Sequence, residues 1–201
     1  MRSMWSRWMR TGGVVAMLAG AMWSAPSALH AQDADDEGEA EETVAEILAN
    51  PADVESIDAI IGAVYDVISG EAGEARDWDR MRSLFIPEAR LMPSGRGQDG
   101  THRYAVWSTD EYIERAGPQL ETNGFFETEA HRVTERWADI AHVFSTYNSY
   151  HTAADMEAGT TFQRGINSFQ LIFDGERWWI VSIMWEAEGP DRPISEEYLG
   201  E

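Results

Sequence analysis

Residues 162–186 read FQRGINSFQLIFDGERWWIVSIMWE, two β-branched and aromatic runs on either side of Asp174-Gly175. An Asp-Gly pair supplies the two positive-φ positions of a two-residue type I′ turn, so the stretch predicts a β-hairpin. With that turn Phe173 opposes Glu176, Leu171 opposes Trp178, Phe169 opposes Ile180, Asn167 opposes Ser182 and Gly165 opposes Met184. Alternation along a strand puts these side chains on one face. Near the turn the face is apolar; at the Asn167–Ser182 rung it becomes polar, which suits the wall of a ligand cavity. A cross-strand hydrogen bond on a half-wet surface accounts for that pair equally well. The opposite face carries Ile166 with Ile183 and Arg164 with Trp185, a surface for a helix or a second subunit.

Outward from the hairpin, the preceding strands are read over 125–137 and 140–151. A two-residue turn at Ala138-Asp139 sets His131 opposite Thr146, on the face of His142 and Phe144. Arg132 then joins Ser145 and Tyr147 on the other face, and a single bulge would exchange the two. Ala141, Val143, Ser145 and Tyr147 are read as inward-facing. Further upstream the period becomes helical. Ile57, Ile60, Ile61, Val64 and Ile68 form one stripe, with Tyr65 at its edge and Asp66 pointing away. Asp77 caps a short second helix with Trp78, Met81, Leu84 and Phe85 inward, ended by Pro87. A strand over 89–92 leads into a glycine-rich loop. Ser108 and Glu111 form a capping box for a third helix, with Tyr112, Ile113, Ala116 and Leu120 apolar, which Gly117-Pro118 ends or bends. Helices first and long antiparallel strands afterwards predict an α+β domain, with helices packed on one side of a strongly curved antiparallel sheet.

The 201 residues contain no cysteine and no lysine, and the formal net charge is −21. Disulfides and a lipid-anchored cysteine are therefore excluded. An acidic chain without clustered cations fits neither nucleic acid nor an anionic membrane surface as partner. Arg2, Arg7 and Arg10 precede an apolar run from Gly12 to Trp23 and small residues ending at Ala31, the pattern of a cleaved export signal over 1–31. The run is short for a membrane span, so the expectation is an exported protein, periplasmic or secreted, with no stable membrane anchor. Residues 32–53 read as an acidic, disordered linker. The domain is expected over 54–188 and a polar, proline-containing tail over 189–201.

Several motifs fail on their context. Asp33, Asp35, Glu37 and Gly38 imitate the opening of a calcium loop, but Val44 stands at the twelfth position, where a bidentate Glu is needed. Gly95, Gly97 and Gly100 spell GxGxxG without a following helix to aim amides at a pyrophosphate. His102, His131, His142 and His151 form no metal-binding pair, so no metal site and no cofactor are expected. His131 and His102 stand as acid–base candidates, with an ordinary sheet histidine the competing reading for His131. No serine elbow, cysteine nucleophile or phosphate-loop lysine is present.

Three segments carry a family resemblance: Asp77-Trp-Asp-Arg-Met-Arg-Ser-Leu-Phe-Ile-Pro-Glu-Ala-Arg90, Ala141-His-Val-Phe-Ser-Thr-Tyr147 and Gly175-Glu-Arg-Trp-Trp-Ile-Val181. With them the chain resembles the nuclear transport factor 2-like superfamily, in its SnoaL-like bacterial branch, over about 56–188. The resemblance implies a cone-shaped α+β barrel around a deep pocket closed by helices, often in dimers. It also implies a choice among isomerases, dehydratases, hydrolases, cyclases and non-catalytic binding domains, since fold does not fix function. Some enzymatic relatives carry Tyr-Asp ahead of an Asp-Trp-Asp segment, which would give acid–base roles to Tyr65 and Asp66. Here, however, the Gly70–Gly73 segment changes the spacing, and the helical wheel turns Asp66 outward.

The leading expectation is a domain binding a small, mostly apolar ligand between Tyr65, Trp107, Tyr147, Asn167, Ser182 and Met184, with no catalytic residue assigned. A cofactor-independent isomerase, dehydratase or hydrolase using a pocket His, Asp or Tyr is the second reading. A homodimer through the outer sheet face, including Ile166, Ile183 and Trp185, is the third.

Overall fold

The computed structural model describes residues 47–97 and 99–200. The expected export signal (1–31) and residues 32–46 of the acidic segment lie outside the described residues. Helix α1 (Pro51–Val54) starts at Asn50, whose side chain accepts a hydrogen bond from Ala52 N at 3.2 Å. Proline suits its first position, where the missing N–H would have no partner anyway. Asp53 is buried and takes two hydrogen bonds from Arg80, at 2.7 and 3.0 Å. Residues 51–53 thus belong to the packed domain and not to the acidic linker.

Ser56 caps helix α2 (Ile57–Ile68) through Ala59 N at 3.0 Å. Its stripe, Ile60, Ile61, Val64 and Ile68, is buried together with Tyr65, while Asp66 is exposed and ion-paired with Arg80. Helix α3 (Trp78–Ser83) carries the expected cap, Asp77 Oδ1 accepting from Arg80 N at 2.9 Å. It ends sooner than its apolar period suggests. Ile180 N donates to Leu84 O at 3.0 Å and Phe85 pairs with Ile180, so Phe85 opens strand β1 (Phe85–Arg96). Pro87 falls where the ladder is irregular, the place in a sheet that tolerates a missing donor.

After strand β2 (His102–Tyr104), helix α4 (Thr109–Asn123) has both halves of its capping box. It does not end at Gly117-Pro118 but continues to Asn123. Its last turns are held by α3 and the preceding loop. A Cβ on Gly117 would lie 3.1 Å from the Trp78 ring, Trp78 Nε1 donates to Glu121 at 2.9 Å, and Arg76 donates to Leu120 O at 3.3 Å.

Strands β3 (Phe126–Trp137) and β4 (Ile140–Tyr150), helix α5 (Ala153–Glu157), and strands β5 (Gln163–Phe173) and β6 (Trp178–Ala187) complete the main elements. The six strands form one sheet in the order β2-β1-β6-β5-β4-β3, antiparallel except for the parallel β1–β6 pair. Its edges, β2 and β3, do not pair, so the sheet is open and not a closed barrel. The buried apolar side chains of α2 share one core with Leu91, Val143, Phe169, Leu171, Trp178, Ile180 and Ile183 of the sheet.

The hairpin departs from its expected register twice. Asp174 Oδ1 accepts from Glu176 N and Arg177 N, each at 2.8 Å, and this makes a four-residue loop with Phe173 opposite Trp178. A side chain that bonds the next amides competes with the two-residue turn. A bulge at Val181 then separates the Leu171–Ile180 rung from the Gln170–Ser182 rung. Beyond it every side chain changes face. Asn167 consequently opposes Trp185, and Ser182 and Met184 turn away from the helices. Met184 is 47% exposed and Ile183 is buried in the core. Ile183 and Trp185 therefore do not form an outer-face interface.

The segment after β6 lies against the outer face. Arg164 makes two hydrogen bonds to Glu188, at 2.9 and 3.0 Å; Thr146 Oγ1 donates to Tyr198 O at 2.6 Å; Phe144 stacks on the Tyr198 ring at 5.4 Å. The expected tail is a docked strap.

Gly165 faces Tyr147 across the β4–β5 ladder. A Cβ there would meet the Tyr147 hydroxyl, and would lie 2.5 Å from Tyr147 Cζ and 2.5 Å from Glu186 O. Because one obstacle is backbone, Gly165→Ala is expected to lower the urea unfolding free energy by about 1–3 kcal/mol. An unchanged urea midpoint would contradict this packing.

Candidate functional site

The inner face changes character along its length. At the hairpin-loop end it is apolar: Trp178, Leu171, Ile180, Val143. At the other end, beyond the bulges, polar and aromatic groups gather beneath α2 and α4. A bulge at Ala130 in β3 makes this possible. It separates Glu129↔Tyr147 from His131↔Thr146, so that Glu127, Glu129 and Arg132 all share the face of Ser149, Tyr147 and Ser145.

These groups form one hydrogen-bond chain. Asn167 Nδ2 donates to Glu127 Oε1 at 3.1 Å and to the Tyr65 hydroxyl at 3.2 Å. Tyr65 meets Ser145 Oγ at 2.6 Å, and Ser145 Oγ donates to Glu129 Oε1 at 2.5 Å. Arg132 closes the chain with two bonds to Glu129, at 2.8 and 2.6 Å, and also pairs with Asp58 of α2. Glu127 accepts further from Ser149 Oγ at 2.9 Å, and Ser69 Oγ accepts from Glu127 N at 3.0 Å. Outside this chain, Gln163 Nε2 donates to the Tyr147 hydroxyl at 3.3 Å.

The two glutamates differ in their partners. Glu129 has a guanidinium, whereas Glu127 has only neutral donors among the described residues. Enclosure by protein, partly offset by the bonds from Ser149 and Asn167, pushes the Glu127 carboxyl up to about 7. Burial, aided by the nearby Glu127 charge, also pushes the phenols of Tyr65, Tyr112 and Tyr147 above their ordinary range. All three stay neutral hydrogen-bonding groups. Three rings complete the wall: Tyr112 meets Trp185 edge-on at 6.0 Å and Trp107 lies 6.5 Å from Trp185, all three half-buried. Neither the Tyr112 hydroxyl nor the Trp185 indole N–H has a hydrogen-bond partner among the described residues.

Of the six residues expected to line a pocket, Tyr65, Tyr147 and Asn167 meet here, and Trp107 reaches the same wall through Trp185. Ser182 and Met184 belong to the opposite face, for the reason given by the Val181 bulge. Glu127, Tyr112 and Trp185 were not anticipated as site residues. Their inward aim follows from two bulges and from the seating of α4, for which the local sequence carries no signal. Among the acid–base candidates, His131 lies on the outer face opposite Thr146, His102 is exposed on β2, and Asp66 is bound to Arg80 in solvent. No group of three or more His, Cys, Asp or Glu side chains among the described residues is arranged to hold a metal ion.

Helices on one face of an open, six-stranded, mostly antiparallel sheet, over a wall that turns polar at one end, make this an α+β protein. No family model and no curated protein sequence matches the chain. Among solved structures it is similar to a protein of unknown function with a cystatin-like fold from Nostoc punctiforme, at 13% identity and TM-score 0.49, covering 67% of this chain and 90% of that one. It is also similar to an NTF-2 like protein of unknown function from Silicibacter pomeroyi, at 14% identity and TM-score 0.42, covering 67% and 94%. A third, an uncharacterized protein with a cystatin-like fold from Caulobacter vibrioides, aligns at 14% identity and TM-score 0.48 over 68% and 90%.

The Glu127 carboxyl gives a pH signature. Folded, it holds its proton up to about pH 7; unfolded, it releases it near 4.5. Between those values the folded state binds more protons, so this group's contribution to stability is present below 4.5 and is lost as pH rises through about 7. Glu127→Gln removes that loss. Allowing for the surface Glu127 keeps, the variant should gain about 2 kcal/mol over the parent between acid and mildly alkaline pH, read by urea unfolding. Parallel profiles for the two proteins would show that Glu127 titrates normally.

Proposed function

We propose that this domain binds one small, mostly apolar ligand at the polar–aromatic end of its inner face, between Tyr65, Trp107, Tyr112, Glu127, Tyr147, Asn167 and Trp185. The observation that carries the reading is the pairing of half-buried rings with hydrogen-bonding groups that have no partner among the described residues, the Tyr112 hydroxyl and the Trp185 indole N–H. Small-molecule sites have this makeup, a broad apolar wall with a few placed polar groups. The N-terminal export pattern supports a location outside the cytoplasm, in a periplasmic or secreted protein. Fluorescence titration with N-phenyl-1-naphthylamine, a small neutral aromatic probe, tests it. One saturable site is expected, weakened by about tenfold in Trp185→Ala and unchanged in Met184→Ala on the opposite face. Equal affinities for the parent and Trp185→Ala would overturn the assignment.

A second reading is favoured by the hydrogen-bond chain itself. Glu127, with its carboxyl near neutrality, is joined through Asn167 to the neutral phenol of Tyr65, an arrangement suited to moving a proton at a bound substrate without a cofactor. An isomerase, dehydratase or hydrolase of this kind would lose turnover in Glu127→Gln while still binding the neutral probe. Turnover kept in that variant would exclude Glu127 as the proton-transfer group.

A further inference from the structure

We propose that the polar end of the ligand is a small organic cation, an ammonium group held against the Glu127 carboxylate and the rings of Tyr112 and Trp185. This rests on the pocket reading above and narrows it to a chemical class.

The other carboxylates near the wall already have cationic partners. Glu129 is saturated by the two bonds from Arg132, and Glu186 pairs with Arg192 at 3.0 Å and accepts from Ser94 at 3.1 Å. Glu127 accepts only from Ser149 and Asn167, and no arginine among the described residues reaches it. Arg132 is committed to Glu129 and Asp58, while Arg115 lies 5.8 Å from the Trp107 ring. An anionic ligand would therefore meet a carboxylate with no cation to offset it. A cationic group would supply the ionised Glu127 carboxylate with the opposite charge that no described residue gives it.

The rings favour a cation on independent grounds. Tyr112 and Trp185 stand at an interplanar angle of 87°, two sides of a corner, with Trp107 tilted at 59° to Trp185. Aromatic faces attract positive charge through their quadrupole, and several faces around one position are how quaternary ammonium groups are held. Arg115 already occupies the neighbourhood of Trp107, which leaves the Tyr112–Trp185 corner for the ligand. Asn167, which donates to Glu127 at 3.1 Å, is the cross-strand partner of Trp185, so the carboxylate and the corner adjoin through one residue.

Trimethylphenylammonium and tert-butylbenzene have the same shape and differ by one charge, which makes them a matched pair of probes. Ligand-observed NMR titration of the full chain should show the cation binding at least about tenfold more tightly than the hydrocarbon. In Glu127→Gln that preference should fall to near unity, while retained binding of tert-butylbenzene shows that the fold and pocket survive. Equal affinities in the parent, or a preference untouched by Glu127→Gln, would overturn the proposal and leave the pocket reading standing. Binding of neither probe would remove both.

Discussion

A pleated strand can aim a side chain at only one of two faces, and everything distinctive about this protein's inner wall follows from two places where that alternation slips. At Ala130 the extra residue brings Glu127 and Glu129 to the same side as Arg132. At Val181 it brings Ile183 and Trp185 under the helices and turns Ser182 and Met184 out. Without the first slip the hydrogen-bond chain would lose both carboxylates; without the second the aromatic corner would lose its central ring. Bulges next to a site re-aim side chains while leaving the rest of the ladder intact.

Within that wall, charge is distributed unevenly between two chemically identical groups. Glu129 is part of a closed ion-pair arrangement that ties β3 to α2 through Asp58, and its role is structural. Glu127, two residues away, sits among neutral donors and phenols, where its ionised form is disfavoured. The chain Glu127–Asn167–Tyr65–Ser145–Glu129 links a rigid, neutralised end to a responsive one. Such a network is satisfied at every buried atom it contains, which is the condition under which buried polar groups specify a structure instead of destabilising it.

Much of the architecture was legible in the residues. The stripe of α2, the caps of α3 and α4, the Ala138-Asp139 turn and the His131–Thr146 register all follow from local chemistry, and the structure has them. The inward set Ala141, Val143, Ser145, Tyr147 was readable because a regular strand preserves parity. The site was only partly legible, and for the same reason. Parity fails at a bulge, and neither Ala130 nor Val181 is flanked by a glycine or proline that would announce one. The Asp174 side chain displaced the turn that Asp174-Gly175 otherwise favours, which moved Phe173 from Glu176 to Trp178. Helix α4 ran through a proline because its far end is gripped by Trp78 and Arg76, contacts distant in sequence.

Tyr147 and Gly165 share one cross-strand rung, and the phenol fills the space that any side chain at 165 would need. The two positions consequently hold a single joint volume. Among descendants of this sequence, a larger residue at 165 becomes admissible only alongside a smaller one at 147. The exchange would carry the hydrogen-bonding phenol out of the inner wall as it did so. A change confined to the floor of the sheet would in this way alter the inner wall without touching Glu127, Tyr112 or Trp185.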